Sequence, residues 1–218
     1  MTHPRFDIHI HSDFSDGNPS VEQIVERAAA IRLRTIAITD HFWPSLGSQR
    51  GGIGMIKERR RRIERLREDY PDMRILDGAE IDILSNGGLA PIAGGPDQFD
   101  LIIGSVHWIS SPEQWSSSLI KTLRKTQFDI LGHYDGYLTA YRDREGKAVA
   151  EALSEAEVAI ELSSRYEPVY TQFLEIARDA GCMFTLGSDS HTLDTIGKLD
   201  ELRRLAEVMK LPILTFDE

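Results

Sequence analysis

Residues 6–41 read FDIHIHSDFSDGNPSVEQIVERAAAIRLRTIAITDH, and they hold one complete strand–helix–strand unit. Phe6–Ile10 is short, apolar and rich in isoleucine, as a buried strand should be. Polar residues and the turn Ser15-Asp16-Gly17 follow it. Ser20 and Gln23 then offer a capping box ahead of Val21, Ile24, Val25 and Ala28. Thr35–Thr39 returns to β-branched, apolar character. Two strands joined by a helix in this way run parallel, with a right-handed crossover.

The alternation continues along the chain. Further strands are expected at Arg74–Glu80, Leu101–Val106, Asp129–Gly132, Val158–Leu162 and Met183–Gly187. Between them, Ile56, Ile63, Leu66 and Tyr70 form one stripe of a strongly charged helix. Trp115, Leu119 and Leu123 mark another, and Ala148–Ala156, Tyr170–Ala180 and Leu199–Met209 complete the set. Seven strands in one domain, residues 1–218, suit a closed or nearly closed α/β barrel. An open doubly wound sheet is the alternative.

Bulk properties narrow the function. The 218 residues are 41% apolar and 28% charged, the profile of one soluble globular domain. The start of the chain lacks a basic segment followed by an apolar one, so no secretory signal is read there. No apolar run approaches the ~18–20 residues that span a bilayer. Cys182 is the only cysteine, which excludes a disulfide framework and makes a reducing cytoplasm the expected location. A net charge of −10 argues against a general nucleic-acid or anionic-membrane surface. It still permits an anionic substrate, because bound cations can make one pocket positive.

The histidines fall in a pattern. The first strand runs into His9-Ile10-His11, with Asp16 shortly after, and the second into Thr39-Asp40-His41. Glu80 ends the third, His107 follows the fourth, His133 the fifth, and Asp189 and His191 the seventh. Of seven histidines only His3 lies outside this arrangement. In a parallel barrel every strand opens at its C-terminal end onto one face, so these side chains should converge on one mouth. His9 and His11, two apart on a strand, point the same way, and the same spacing serves Asp189 and His191. Taken singly, a His-x-His pair, a histidine at a strand end or an Asp-Gly turn has an ordinary structural reading. Their conjunction points to a polynuclear site for divalent cations such as zinc, iron, manganese or cobalt.

Asp7-Ile8-His9-Ile10-His11-Ser12 with Ser15-Asp16-Gly17, Ile38-Thr39-Asp40-His41, Gly78-Ala79-Glu80, Gly104-Ser105-Val106-His107, Gly132-His133 and Gly187-Ser188-Asp189-Ser190-His191 are ordered and spaced as in one known family. Over almost its whole length the chain resembles the PHP (polymerase and histidinol phosphatase) family. The resemblance implies a distorted (βα)7 barrel and a trinuclear metal site, hence two to three divalent ions per chain. Carried over by position, His9, His11 and Asp189 hold one ion, and Glu80 bridges it to a second held by His107 and His133. Asp16, His41 and His191 hold the third. The chain looks like a freestanding member without an appended polymerase domain. The resemblance also places a phosphate-binding arginine after the sixth strand, where this chain carries Arg165. Glu80, Asp189 and Arg165 are accordingly the expected catalytic residues, with Arg165 binding substrate through its planar fork. Glu161 is expected to orient its neighbours.

Three divalent ions facing only Asp16, Glu80 and Asp189 would leave a positive pocket. A phosphomonoester dianion together with a hydroxide neutralises it, whereas a diester leaves one charge uncompensated. Metal-activated water attacking phosphorus is the chemistry such a site supports. The leading expectation is therefore a phosphatase acting on a small phosphorylated metabolite, histidinol phosphate among the candidates. A phosphodiesterase or 3′–5′ exonuclease on nucleotides or single-stranded nucleic acid is second, a non-catalytic metal-binding module third, and a C–N hydrolase fourth. The aromatic, glycine-rich stretch Phe42–Gly52 is expected to cover the mouth, with Trp108, Tyr134 and Tyr137 lining it. The Arg59–Arg62 cluster alternates with Glu58, Glu64 and Glu68 and is expected to be a solvated helix face laced with i,i+4 pairs. The sequence leaves the oligomeric state open.

Overall fold

The computed structural model describes residues 5–42 and 52–216. All seven expected strands form: β1 (Phe6–Ile10), β2 (Thr35–Ile38), β3 (Arg74–Asp82), β4 (Leu101–Ser105), β5 (Ile130–Leu131), β6 (Ala159–Ser163) and β7 (Phe184–Gly187). The helices are α1 (Val21–Ala30), α2 (Ile53–Asp69), α3 (Pro112–Leu123), α4 (Asp143–Glu155), α5 (Thr171–Asp179) and α6 (Asp200–Met209). The capping box opens α1: Ser20 accepts from the Gln23 backbone while Gln23 accepts from that of Ser20. A second, Ser111 with Gln114, opens α3. The β3–β4 connection contains a short 3₁₀ turn, Pro96–Gln98, in place of a crossover helix.

The strands form one parallel sheet in sequential order from β1 to β7. Its edges meet at their C-terminal ends, where the His11 amide donates to the Ser190 carbonyl at 2.8 Å and Ser190 donates to His9. The result is a nearly closed (βα)7-like barrel. Every strand but β3 is buried throughout, since helices cover one face and the interior the other. Ile36 and Ile38 of β2 pack in one cluster with Ile24 and Val25 of α1 and Ile63 of α2. β5 is only two residues long, although the flanking amides of Asp129 and Gly132 still donate to β4; His133, just beyond, takes φ +23°. Among the described residues, no helix is long and apolar enough to cross a membrane.

One expectation about a helix face needs correction. Arg59 is completely buried, on the same stripe of α2 as Ile56, Ile63 and Leu66, and Arg60 reaches inward to Asp77 at 2.6 Å. Only Arg61 and Arg62 make the expected surface pairs with Glu58. Local periodicity placed Arg59 at an inward position; the alternating charges around it hid that.

Candidate metal centre

The barrel brings the expected residues to one mouth. Glu80, near the end of β3, is the hub and is almost wholly buried. Its Oε2 lies 3.3 Å from Nε2 of His9, of His11 and of His41. Its Oε1 lies 3.3 Å from Nε2 of His107 and 3.0 Å from Nε2 of His133. One carboxylate therefore faces two separate imidazole sets with its two oxygens. On the open side, His191 Nε2 is 3.0 Å from Asp16, and His191 Nδ1 is 3.4 Å from Asp189 Oδ1. His11 Nε2 also lies 3.3 Å from Asp189, and His41 Nε2 lies 4.0 Å from Asp16.

Asp189 reaches this position by a route the strand spacing did not foresee. β7 ends at Gly187, and Asp189 has φ +51° in the left-handed region. The period-two argument therefore does not apply to Asp189 and His191; a turn presents both. Gly187 is required by close approach. A Cβ there would lie 2.0 Å from Glu161 Oε1 and 2.7 Å from the Cβ of His9.

Two further carboxylates aim the imidazoles. Glu161, buried inside the barrel on β6, accepts from His9 Nδ1 at 2.7 Å and from the His133 amide at 2.9 Å. This is the orienting role expected of it. Asp82 accepts from His107 Nδ1 at 2.7 Å. Asp82 was not among the expected residues, because the third strand was expected to end at Glu80; lying two residues beyond Glu80 on the longer observed strand, it shares Glu80's face. A carboxylate partner fixes the ring proton on Nδ1 and leaves Nε2 free to face the centre, as behind metal-bound histidines.

The donor set fits divalent cations. Nε2 of His9 and of His11 approach to 3.0 Å, and Nε2 of His107 and of His133 to 3.2 Å, so at most one proton separates each pair. Nδ1 of His41 and of His133 are buried without hydrogen-bond partners among the described residues, although buried polar atoms ordinarily have them; Nδ1 of His11 lies 3.4 Å from Asp16 Oδ1. Four overlapping groups, His9–His11–Glu80, His11–Asp16–His41, His11–Asp189–His191 and His41–Glu80–His107, each bring donor atoms within 4.8 Å of one another. Electrostatics agrees. Burial opposes protonation of His9, yet Glu161, Glu80 and Asp189 raise it well above 6.5. Burial likewise opposes protonation of His107, which Glu80 and Asp82 raise to about 9. Buried His41 falls to about 4. The centre has a negative potential that attracts protons, and the same potential suits cations.

Arg165 lies on the rim, 46% exposed, with Nη1 2.7 Å from His191 Nδ1 and Nε 3.9 Å from Asp189. Of the expected wall residues, Tyr137 faces the rings of His107 and His133. Tyr134 is instead buried against Phe173, its hydroxyl donating to the Tyr170 carbonyl, and Trp108 donates to Ile83. Tyr166, not singled out in the sequence, lies tilted against the His133 ring with centroids 4.6 Å apart, and its hydroxyl meets that of Tyr137 at 3.2 Å. Most of the stretch expected to cover the mouth, residues 43–51, lies outside the described residues.

The PHP domain model matches residues 7–176, more than three quarters of the chain. The chain belongs to the PHP domain family. It is 26% identical over 197 residues to the DNA polymerase/3′-5′ exonuclease PolX of Bacillus subtilis, a match covering 87% of this chain and 35% of that protein. It thus spans about a third of that relative's length. It is 31% identical over 163 residues to a probable phosphatase of Clostridium acetobutylicum, covering 67% of this chain and 66% of that one. Among solved structures, the histidinol phosphate phosphatase of Lactococcus lactis, complexed with zinc, L-histidinol and phosphate, superposes with a TM-score of 0.74. The two are 20% identical, and the match covers 97% of this chain and 95% of that one, a likeness of fold.

Proposed function

We propose that this PHP chain is a metal-dependent phosphoesterase that hydrolyses small phosphomonoesters. The observation that carries the reading is Glu80, whose two oxygens face two separate sets of imidazoles. His9, His11 and Asp189 would hold one divalent ion, His107 and His133 a second, and Asp16, His41 and His191 a third, with Glu80 shared between the first two. Zinc, manganese or iron suits this mixture of imidazole and carboxylate. Ions held there supply Lewis acidity toward phosphoryl oxygens and acidify water near neutral pH.

The chain's own groups do the rest. Glu161 and Asp82 keep His9 and His107 in the tautomer that presents Nε2. Arg165, 46% exposed on the rim beside His191 and Asp189, offers a bidentate fork to phosphate oxygens. The half-buried pair Tyr137 and Tyr166 walls the His107–His133 side, where a leaving group would lie. With only three carboxylates among the nine proposed ligands, the loaded centre retains positive charge that a dianionic monoester balances better than a monoanionic diester.

A substrate panel tests this: p-nitrophenyl phosphate, histidinol phosphate, sugar phosphates, nucleoside 3′- and 5′-phosphates, bis(p-nitrophenyl) phosphate and a short single-stranded oligonucleotide. Each is assayed with zinc, manganese, cobalt and magnesium, and each rate is divided by its uncatalysed rate. Monoesters are expected to lead. Preference for the diester or oligonucleotide would favour the phosphodiesterase or exonuclease reading instead, and silence with all sites filled would leave a metal-binding module.

A further inference from the structure

Arg59 is a fully buried cation in an apolar helix stripe, an arrangement that is costly unless its charge is matched; both terminal nitrogens find partners, and only Nε has none among the described residues. Its Nη1 donates to Asp40 Oδ2 at 2.8 Å. Its Nη2 donates to Asp77 Oδ1 at 2.5 Å and to the Gly78 carbonyl. The Phe42 ring packs against the guanidinium at 4.5 Å. Asp40 in turn accepts from the Ser12 amide and hydroxyl, both at 2.7 Å, and from the Ser15 hydroxyl at 2.6 Å. Burial would raise the Asp40 carboxyl, but Arg59 and the two serines lower it, so it stays an anion. Both Asp40 oxygens are thereby engaged. This explains why an aspartate directly before His41 stays out of the metal-binding cluster.

The network joins three chain segments: 11–16, with His11 and Asp16; 40–41, with His41; and 77–80, with Glu80. Helix α2 thus reaches, through one planar fork and Asp40, three of the four segments that build the Asp16–His41 side of the centre; His191 comes from the fourth. His107 and His133, across Glu80, are held instead by Asp82 and Glu161. We infer that Arg59 is a positioning residue for the metal centre, setting the register of Asp16 and His41 against Glu80. The inference rests on the proposed metal-binding reading.

A lysine keeps the charge but cannot span Asp40 and Asp77 with one rigid fork. Metal-free Arg59→Lys, Arg61→Gln and wild-type chains should be titrated with zinc against a chromophoric chelator, with thermal midpoints recorded in parallel. Arg61 is exposed and pairs with Glu58, so Arg61→Gln serves as the control. In folded Arg59→Lys the weakest zinc equivalent, assigned to the solvent-open Asp16 side, should loosen ~10–100-fold. The tighter equivalents should hold, and kcat should recover at saturating zinc. Unchanged zinc binding in the folded variant overturns the proposal, as does equal loosening of every equivalent. Should Arg59→Lys fail to fold, Asp77→Asn weakens the other arm of the fork without touching a proposed ligand and should loosen the same equivalent by a smaller factor; no change there overturns it. A wild-type chain that binds no divalent ion at all overturns this inference together with the metal-centre reading.

Discussion

Replacing Glu80 by glutamine removes one negative charge and keeps the shape, and its cost can be set against the same change at Asp16. Glu80 is 2% exposed and faces five imidazole nitrogens, whereas the Asp16 side chain is 39% exposed. Two unit charges about 4 Å apart interact by about 4 kcal/mol at an effective dielectric of 20, but by only about 1 kcal/mol in bulk water. The buried position should therefore lose about 3 kcal/mol more than the open one, roughly two decades in rate or affinity. Geometry compounds the charge effect. Whichever way the new amide turns, its NH₂ faces either the His107–His133 pair or the His9–His11–His41 set, and neither can then share a cation through it. Glu80→Gln should lower kcat at saturating metal about 100-fold more than Asp16→Asn, and it should lose metal in elemental analysis where Asp16→Asn retains most. An Asp16→Asn defect equal to or larger than that of Glu80→Gln would refute Glu80 as the shared ligand.

Arg165→Ala should leave metal content unchanged and lower kcat/KM for a phosphomonoester by about 2 kcal/mol, or roughly 30-fold, the scale of one charge-assisted contact; unchanged kinetics would make it a surface residue. Protein purified without chelator should carry two to three divalent ions per chain by elemental analysis, and full activity with one or none would exclude the trinuclear proposal. The metal-free protein should lose thermal stability as pH rises from 6.5 toward 9. His107 is raised to about 9, and such a base stabilises the fold below its ordinary 6.5 and loses that contribution as it deprotonates in place. His41, lowered to about 4, acts oppositely and costs stability as pH falls below 6.5. A flat metal-free profile between pH 6.5 and 9 would contradict this electrostatic picture.

The sequence by itself determined the strand–helix alternation and the end of the barrel at which the site lies. Both follow from local rules. Short isoleucine-rich segments make buried strands, Ser20 with Gln23 starts a helix, and parallel strands send every C-terminal residue to the same face. That is why local pattern alone groups the nine residues from His9 to His191 at one end of the barrel. Tertiary structure alone decided how those residues are held. Arg59 already occupied an inward position beside Ile56 and Ile63, yet a buried guanidinium becomes acceptable only when Asp40, just after β2, and Asp77, on β3, arrive to match its charge. Likewise, His9 acquires its orientation from Glu161, 152 residues away. Asp189 reaches the site through a left-handed turn that its strand's alternation did not show. Local pattern records which face a residue takes; charge pairing and hydrogen-bond satisfaction depend on segments distant in sequence, and only the closed barrel brings those together.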